Sequence, residues 1–234
     1  MIKQDKVIVY IDDILIPSKS VEENLAVTRE VLLLLKKYEF TVNFNKCQFL
    51  RNTIEYLGYI ISPSGITLSD RHVNAVKCFL TPTKVVEVQR FLGLTNYFRK
   101  FISGYAHIAR PLHNLLHKSI SFAFNDDCVQ AFNKLKAALT PYPVLRVYNP
   151  VFDTELHTDA SSTALGAILL QEQPSGPWAP VAYYSQVTNN AESKYHSFEL
   201  EMLAIVKSIE RFHAYLYGLN FTVITDCHAL EFAP

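Results

Sequence analysis

Residues Val7 to Ile16 read Val-Ile-Val-Tyr-Ile-Asp-Asp-Ile-Leu-Ile, and two adjacent carboxylates, Asp12 and Asp13, sit inside that apolar run. A strand this apolar is expected to be buried, and a buried carboxylate without a partner is costly. Two readings relieve the conflict, and both put the acids together at the tip of a hairpin. In one they face a divalent cation, because Asp tolerates tight turns and neighbouring carboxylates supply the hard oxygen ligands that Mg²⁺ prefers. In the other the turn uses both Asp for local hydrogen bonds only.

The composition narrows the classes. At 234 residues, with 49% hydrophobic and 19% charged residues, the chain has room for one large domain or two small ones with real cores. The longest stretch without a polar residue, Ala164 to Leu170, is far short of a membrane span, so no membrane partner is expected. The N-terminus shows no signal-peptide pattern. Four scattered cysteines (Cys47, Cys78, Cys128, Cys227) have no metal-ligand spacing and fit free thiols, which predicts an intracellular protein of the cytoplasm or nucleus. Net charge is zero, but its distribution is uneven. From Arg71 to Lys118 there are eight Lys or Arg and four His against one acid, Glu87. Such a stretch is either a phosphate footprint or a solvated helical face.

Along the chain, Ser20-Val21-Glu22-Glu23 predicts a capped helix ending near Lys36 and Lys37. Strands are expected around Thr41–Phe44 and Ile54–Ile61, with a turn at Ser62-Pro63-Ser64-Gly65. Three helical pieces follow: Asp70–Leu80, Lys84 to about Ile102, and one around Ile108–Leu116. Phe91, Leu94, Phe98 and Phe101 fall at helical spacing and read as core. Arg90, Asn96, Tyr97, Arg99 and Lys100 are interleaved with them, a mixture suited to a sugar-phosphate backbone. Asp126–Leu139 predicts an amphipathic helix buried through Val129, Phe132, Leu135 and Leu139. Pro141, Pro143 and Pro150 then make an extended connector.

Beyond the connector, strands are predicted at Thr154–Ala160, Ala164–Gln171 and Pro180–Ser185, then a helix over about Ser193–Leu216 and a strand at Phe221–Thr225. Asp159 and Asp226 each follow a Thr at a strand end, where a carboxylate can leave the core and face a cleft. Glu199 and Glu201 lie two apart on the helix, so only one points inward.

Several of these strings resemble gypsy-type LTR retrotransposon polyproteins. Tyr10-Ile11-Asp12-Asp13 is similar to the Tyr-x-Asp-Asp signature of the reverse transcriptase palm. Leu57-Gly58-Tyr59 resembles the region that grips the primer terminus, and Phe91 to Ile102 resembles the thumb. Phe198 to Val206, with the Thr-Asp contexts of Asp159 and Asp226, resembles ribonuclease H, and that likeness picks Glu201 over Glu199. The resemblance implies an α/β (α+β) fold with a partial palm at 1–69, a helical thumb at 70–118, a connection at 119–150 and a truncated ribonuclease H-like mixed-sheet domain at 151–234. It implies RNA-directed DNA synthesis at Asp12 and Asp13, and cleavage of RNA in RNA–DNA hybrids at Asp159, Glu201 and Asp226. Each site would use two Mg²⁺ ions held by those same carboxylates. Nucleic acid would be contacted by Leu57, Gly58, Tyr59, Arg90, Asn96, Tyr97, Arg99 and Lys100, with an RNA–DNA hybrid or template-primer as partner. An intact element would place the protein in a virus-like particle.

The chain reads as a central slice of such a polyprotein. A further palm Asp upstream and a fourth ribonuclease H carboxylate downstream are expected outside it, so both metal sites read as incomplete. Self-association or a complementing polyprotein segment is therefore anticipated, with weak activity or none. The alternatives are a catalytically dead nucleic-acid-binding remnant and a pseudogene product.

Overall fold

The computed structural model describes residues 6–117, 121–141, 143–174 and 176–227. They fall into two compact units, Met1–Ile54 and Glu55–Pro234.

In the first unit, β1 (Ile8–Tyr10) and β2 (Asp13–Leu15) pair antiparallel, with Tyr10 opposite Asp13. The two-residue turn is Ile11-Asp12, and Ile11 takes a φ of 53°. The strands are not buried as their composition predicts: Val9 is 62% and Ile11 80% exposed. A two-stranded ribbon of three-residue strands has few residues with which to build a second layer. Helix α1 (Val21–Lys37) is capped where expected, the Ser20 hydroxyl accepting from the Glu23 amide at 3.1 Å. The capping box is only half made, because the Glu23 carboxylate accepts from the Lys19 amide and pairs with Lys6 at 3.0 Å. The strand predicted at Thr41–Phe44 does not form. Asn43 instead accepts from the Asn45 amide and caps a short 3₁₀ turn, Phe44–Lys46. Asn side chains commonly compete with strand ladders in this way.

A small sheet follows, β3 (Ile54–Tyr56), β4 (Tyr59–Ser62) and β5 (Gly65–Leu68), in that order, all but Ile54 within the second unit. The single strand predicted over Ile54–Ile61 is a hairpin, broken by Leu57 (φ 51°) and Gly58 (φ 79°). Positive φ at both loop residues matches the twist of a tight hairpin. Helices α2 (Asp70–Lys77), α3 (Val85–Tyr97), α4 (Tyr105–Asn114) and α5 (Asp126–Leu139) follow. The piece predicted from Lys84 to Ile102 stops early. Phe98 donates its amide to the Thr95 carbonyl and the chain tightens into a 3₁₀ turn, Arg99–Phe101. Phe91, Phe98, Phe101, Phe132, Leu112 and Leu135 fill the core of this bundle, the Phe91 and Phe132 rings lying 4.5 Å apart. Val129 was expected inside but is 37% exposed. Cys128 and Ala131 take the buried face of α5 instead.

The connector is stitched to both neighbours. Leu145 and Ile66 exchange backbone hydrogen bonds of 2.7 and 2.9 Å, while the Arg146 amide donates to the Pro180 carbonyl at 2.8 Å. The second sheet runs β8 (Trp178–Val187), β7 (Ala164–Glu172), β6 (Thr154–Ala160), β9 (Thr222–Ile224). The first three strands pair antiparallel, and β9 joins β6 in parallel. Leu165, Ala167 and Leu169 alternate on the face covered by α6 (Ser197–Arg211) and α7 (His213–Leu216). The long helix predicted over Ser193–Leu216 is thus divided. His196 caps α6 by accepting from the Phe198 amide at 3.4 Å, and buried Phe212 marks the break before α7.

Candidate functional site

Strand register brings the first two acids together. His157 of β6 lies beside Ile224 of β9 in the parallel pair. Two residues further along each chain come Asp159 and Asp226, so both leave neighbouring strands at the same end of the sheet. Helix α6 crosses that end with Glu201 on its inner face, 8% exposed, while the two aspartates are exposed. One carboxylate oxygen from each of Asp159, Glu201 and Asp226 lies within 4.8 Å of the others.

Glu201 is fixed at both oxygens. The Ala160 amide donates to Oε1 at 3.2 Å and the Thr225 hydroxyl to Oε2 at 3.4 Å. Burial pushes the Glu201 carboxyl up from its ordinary range, and the charges of Asp226 and Asp159 push the same way against those two hydrogen bonds. None of the three acids is in an ion pair among the described residues. Three clustered carboxylates with no internal cation form a donor set that suits a hard divalent ion. Glu199 is used differently: its carboxylate accepts from the His196 amide at 2.9 Å and completes the α6 cap. Glu199→Ala should therefore cost about 1 kcal/mol of stability and leave divalent-ion binding unchanged, measurable by thermal melts with and without Mn²⁺. Sequence spacing signalled neither Ala160 nor Thr225 as a holder of Glu201, although Thr225 was visible as the residue before Asp226.

Asp12 and Asp13 stand at an exposed hairpin tip, Asp12 in the turn and Asp13 opening β2. Among the described residues no third acid, His or Cys joins them in a metal-sized group.

The residues singled out for nucleic acid have diverse settings. Arg90 is exposed and has no ion-pair or hydrogen-bond partner among the described residues. Arg99 is engaged elsewhere: its guanidinium donates to the Ser185 carbonyl of β8 and to Asn96 Oδ1 at 3.4 Å, and it lies 5.5 Å from the Tyr105 ring. The Ala106 amide donates to the Ser185 hydroxyl at 3.0 Å beside it. Lys100 places its ammonium 4.0 Å from the Tyr59 ring, and burial pulls its pKa down. Tyr97 and Tyr59 stack at 5.7 Å next to Leu57 and Gly58.

Residues 124–223 match the family model described as the RNase H-like domain found in reverse transcriptase, and residues 1–61 match reverse transcriptase (RNA-dependent DNA polymerase). The chain belongs to the reverse transcriptase–ribonuclease H family of retrovirus-related Pol polyproteins. It is 38% identical over 239 residues to the Pol polyprotein from transposon opus of Drosophila melanogaster, covering 96% of this chain and 24% of that one. It is 36% identical over 226 residues to the transposon Tf2-3 polyprotein of Schizosaccharomyces pombe, covering 96% and 17%. The chain thus spans a quarter or less of the length of these relatives. Its fold is similar to a foamy viral protease-reverse transcriptase in complex with RNA/DNA hybrid, with a TM-score of 0.79 at 22% identity over 94% of this chain and 30% of that one.

Proposed function

We propose that this reverse transcriptase family segment binds an RNA–DNA hybrid and contributes to metal-dependent cleavage of its RNA strand. The observation that carries the reading is the convergence of Asp159, Glu201 and Asp226 within 4.8 Å at one end of the second sheet. These residues would hold Mg²⁺. Two such ions, when bound, supply an activated water and charge stabilisation at the leaving oxygen. The chain's own part is orientation. Ala160 and Thr225 keep Glu201 in one rotamer, while exposed Asp159 and Asp226 face the side from which a phosphate can approach. Asp12 and Asp13, together at the hairpin tip, would serve DNA synthesis. The segments 1–69, 70–118, 119–150 and 151–234 are read as palm, thumb, connection and ribonuclease H-like parts. An intracellular setting fits the four free thiols.

The test is cleavage of a fluorescent RNA–DNA hybrid in Mn²⁺ or Mg²⁺, alone and with the downstream segment of a complete relative. Cleavage that is lost in Asp159→Asn and in Asp226→Asn supports the reading. Cleavage that survives both substitutions overturns the assignment of acids. Salt-sensitive binding without cleavage in either form favours the catalytically dead remnant.

Arg90 and Arg99 should separate in a binding assay. Arg90→Ala should weaken hybrid binding and lower the salt slope by about one unit, as loss of one phosphate contact does. Arg99→Ala should chiefly lower stability, because it frees a part-buried carbonyl of β8. Fluorescence anisotropy across a salt series, run beside thermal melts, distinguishes the two.

A further inference from the structure

The turn at Leu57-Gly58 is held from two directions. The Tyr97 hydroxyl, at the last residue of α3, donates to the Leu57 carbonyl at 2.9 Å. The Tyr59 hydroxyl donates back to the Tyr97 carbonyl at 3.4 Å, and the two rings stack 5.7 Å apart at 15°. On its other side the Gly58 carbonyl accepts from the Ser69 amide at 3.0 Å, just before α2. The Ser69 hydroxyl is 2.8 Å from His72 Nδ1, and a Cβ added at Gly58 would lie 2.6 Å from His72 Cε1. Lys100 sits against Tyr59, whose ring also stacks with Phe101 at 5.8 Å.

Such ties are more than hairpin formation needs. A tight turn forms through its own strand pairing, yet here both loop carbonyls are taken by residues outside the hairpin. Leu57 is also kept at a positive φ that a side chain rarely adopts. Tyr97 is 52% exposed, so its ring is not present to fill the core. Its hydroxyl reaches a backbone atom forty residues earlier in the chain.

We propose that Tyr97 and Tyr59 are positioning residues: a reciprocal clasp that fixes the Leu57-Gly58 turn to the end of α3, so that turn and helix meet a nucleic-acid strand in one set geometry. This rests on the nucleic-acid reading above. The clasp makes the turn part of the helical bundle, and a bound strand then finds the backbone of one and the cations of the other at a fixed spacing.

Tyr97→Phe tests it, because it keeps the stack and deletes one hydroxyl. In the full chain, amide exchange at residues 57–60 should quicken at least tenfold with little change in melting temperature. Affinity for a fluorescein-labelled RNA–DNA hybrid should fall three- to tenfold with the salt slope unchanged, since no phosphate contact is removed. Tyr59→Phe, which loses the longer bond, should move the same amides less. Unchanged exchange at those amides in both variants would overturn the clasp. Faster exchange with unaltered affinity would overturn its positioning role. If the parent chain binds no hybrid, the nucleic-acid reading fails by itself and the exchange measurement still decides the clasp.

Discussion

Glu201→Gln is expected to stabilise the metal-free protein and abolish its response to divalent ions at the same time. The native fold raises the Glu201 carboxyl, through burial first and then the charges of Asp226 and Asp159. Between the ordinary carboxylate value of 4.5 and that raised value, the folded state binds more protons than the unfolded one. Stability from this group therefore falls as pH rises through the window, and the full penalty applies above the raised value. Glutamine keeps the shape and removes the charge, its oxygen accepting from the Ala160 amide while its NH2 donates to the Thr225 hydroxyl oxygen. At pH 7.5 the metal-free variant should therefore melt at a higher temperature than the parent. The gain should vanish near pH 4, where both states are protonated. Added Mn²⁺ should stabilise the parent by mass action and leave the variant where it was. A lower melting temperature for the metal-free variant at pH 7.5 would show that the three acids do not repel one another as argued.

Gly65→Ala should be among the most damaging single-methyl additions in the chain. Gly65 has a φ of 134°, and a Cβ there would overlap the Leu145 carbonyl oxygen and lie 3.0 Å from Val144. That carbonyl cannot retreat easily, because Leu145 and Ile66 hold each other through both backbone hydrogen bonds. The joint loss of conformational fit and pairing should cost about 3 kcal/mol or more, a fall of at least about 6 °C. Gly104→Ala is the control. Its φ of 63° is also positive, but nothing lies within 4 Å of its added Cβ. It should cost only about 1 kcal/mol. Urea melts of the two variants compare them directly, and equal losses would mean that the connector gives way at Leu145.

Elements with strong local signals were legible in the sequence. Ser20 with Glu23 opened α1, and the two acids Asp126 and Asp127 opened α5, where the spacing put them. The alternation in Thr154–Ala160 matched β6 residue for residue. Elements decided by distant partners were harder to place. The length of α3 depends on how Phe98 turns into the core, and the division between α6 and α7 depends on Phe212. Neither interrupts an apolar period. The convergence of Asp159 and Asp226 could be anticipated from strand order, because two Thr-Asp strand ends in parallel register must meet. The choice of Glu201 over Glu199 was not available from residue type, since both are glutamates on one helix. It came from the family resemblance, and the α6 cap now gives it a physical reason. Least visible were the settings of Arg99 and Lys100. A cation beside aromatics suits a phosphate as well as a carbonyl or a ring, and sequence carries no information about Ser185 lying within reach.

The Arg99 bond has a mechanical side. Ser185 stands opposite Gly166 in β7, and Gly166 stands opposite Asp159 in β6. One row of backbone, two strand spacings or about 10 Å across, runs from the guanidinium to the first acid, with Asp226 leaving the next strand alongside. The Ala106 amide grips the same serine from α4. The helical bundle and the carboxylate cluster therefore share one backbone row of the sheet, held at its far end by Arg99 and Ala106.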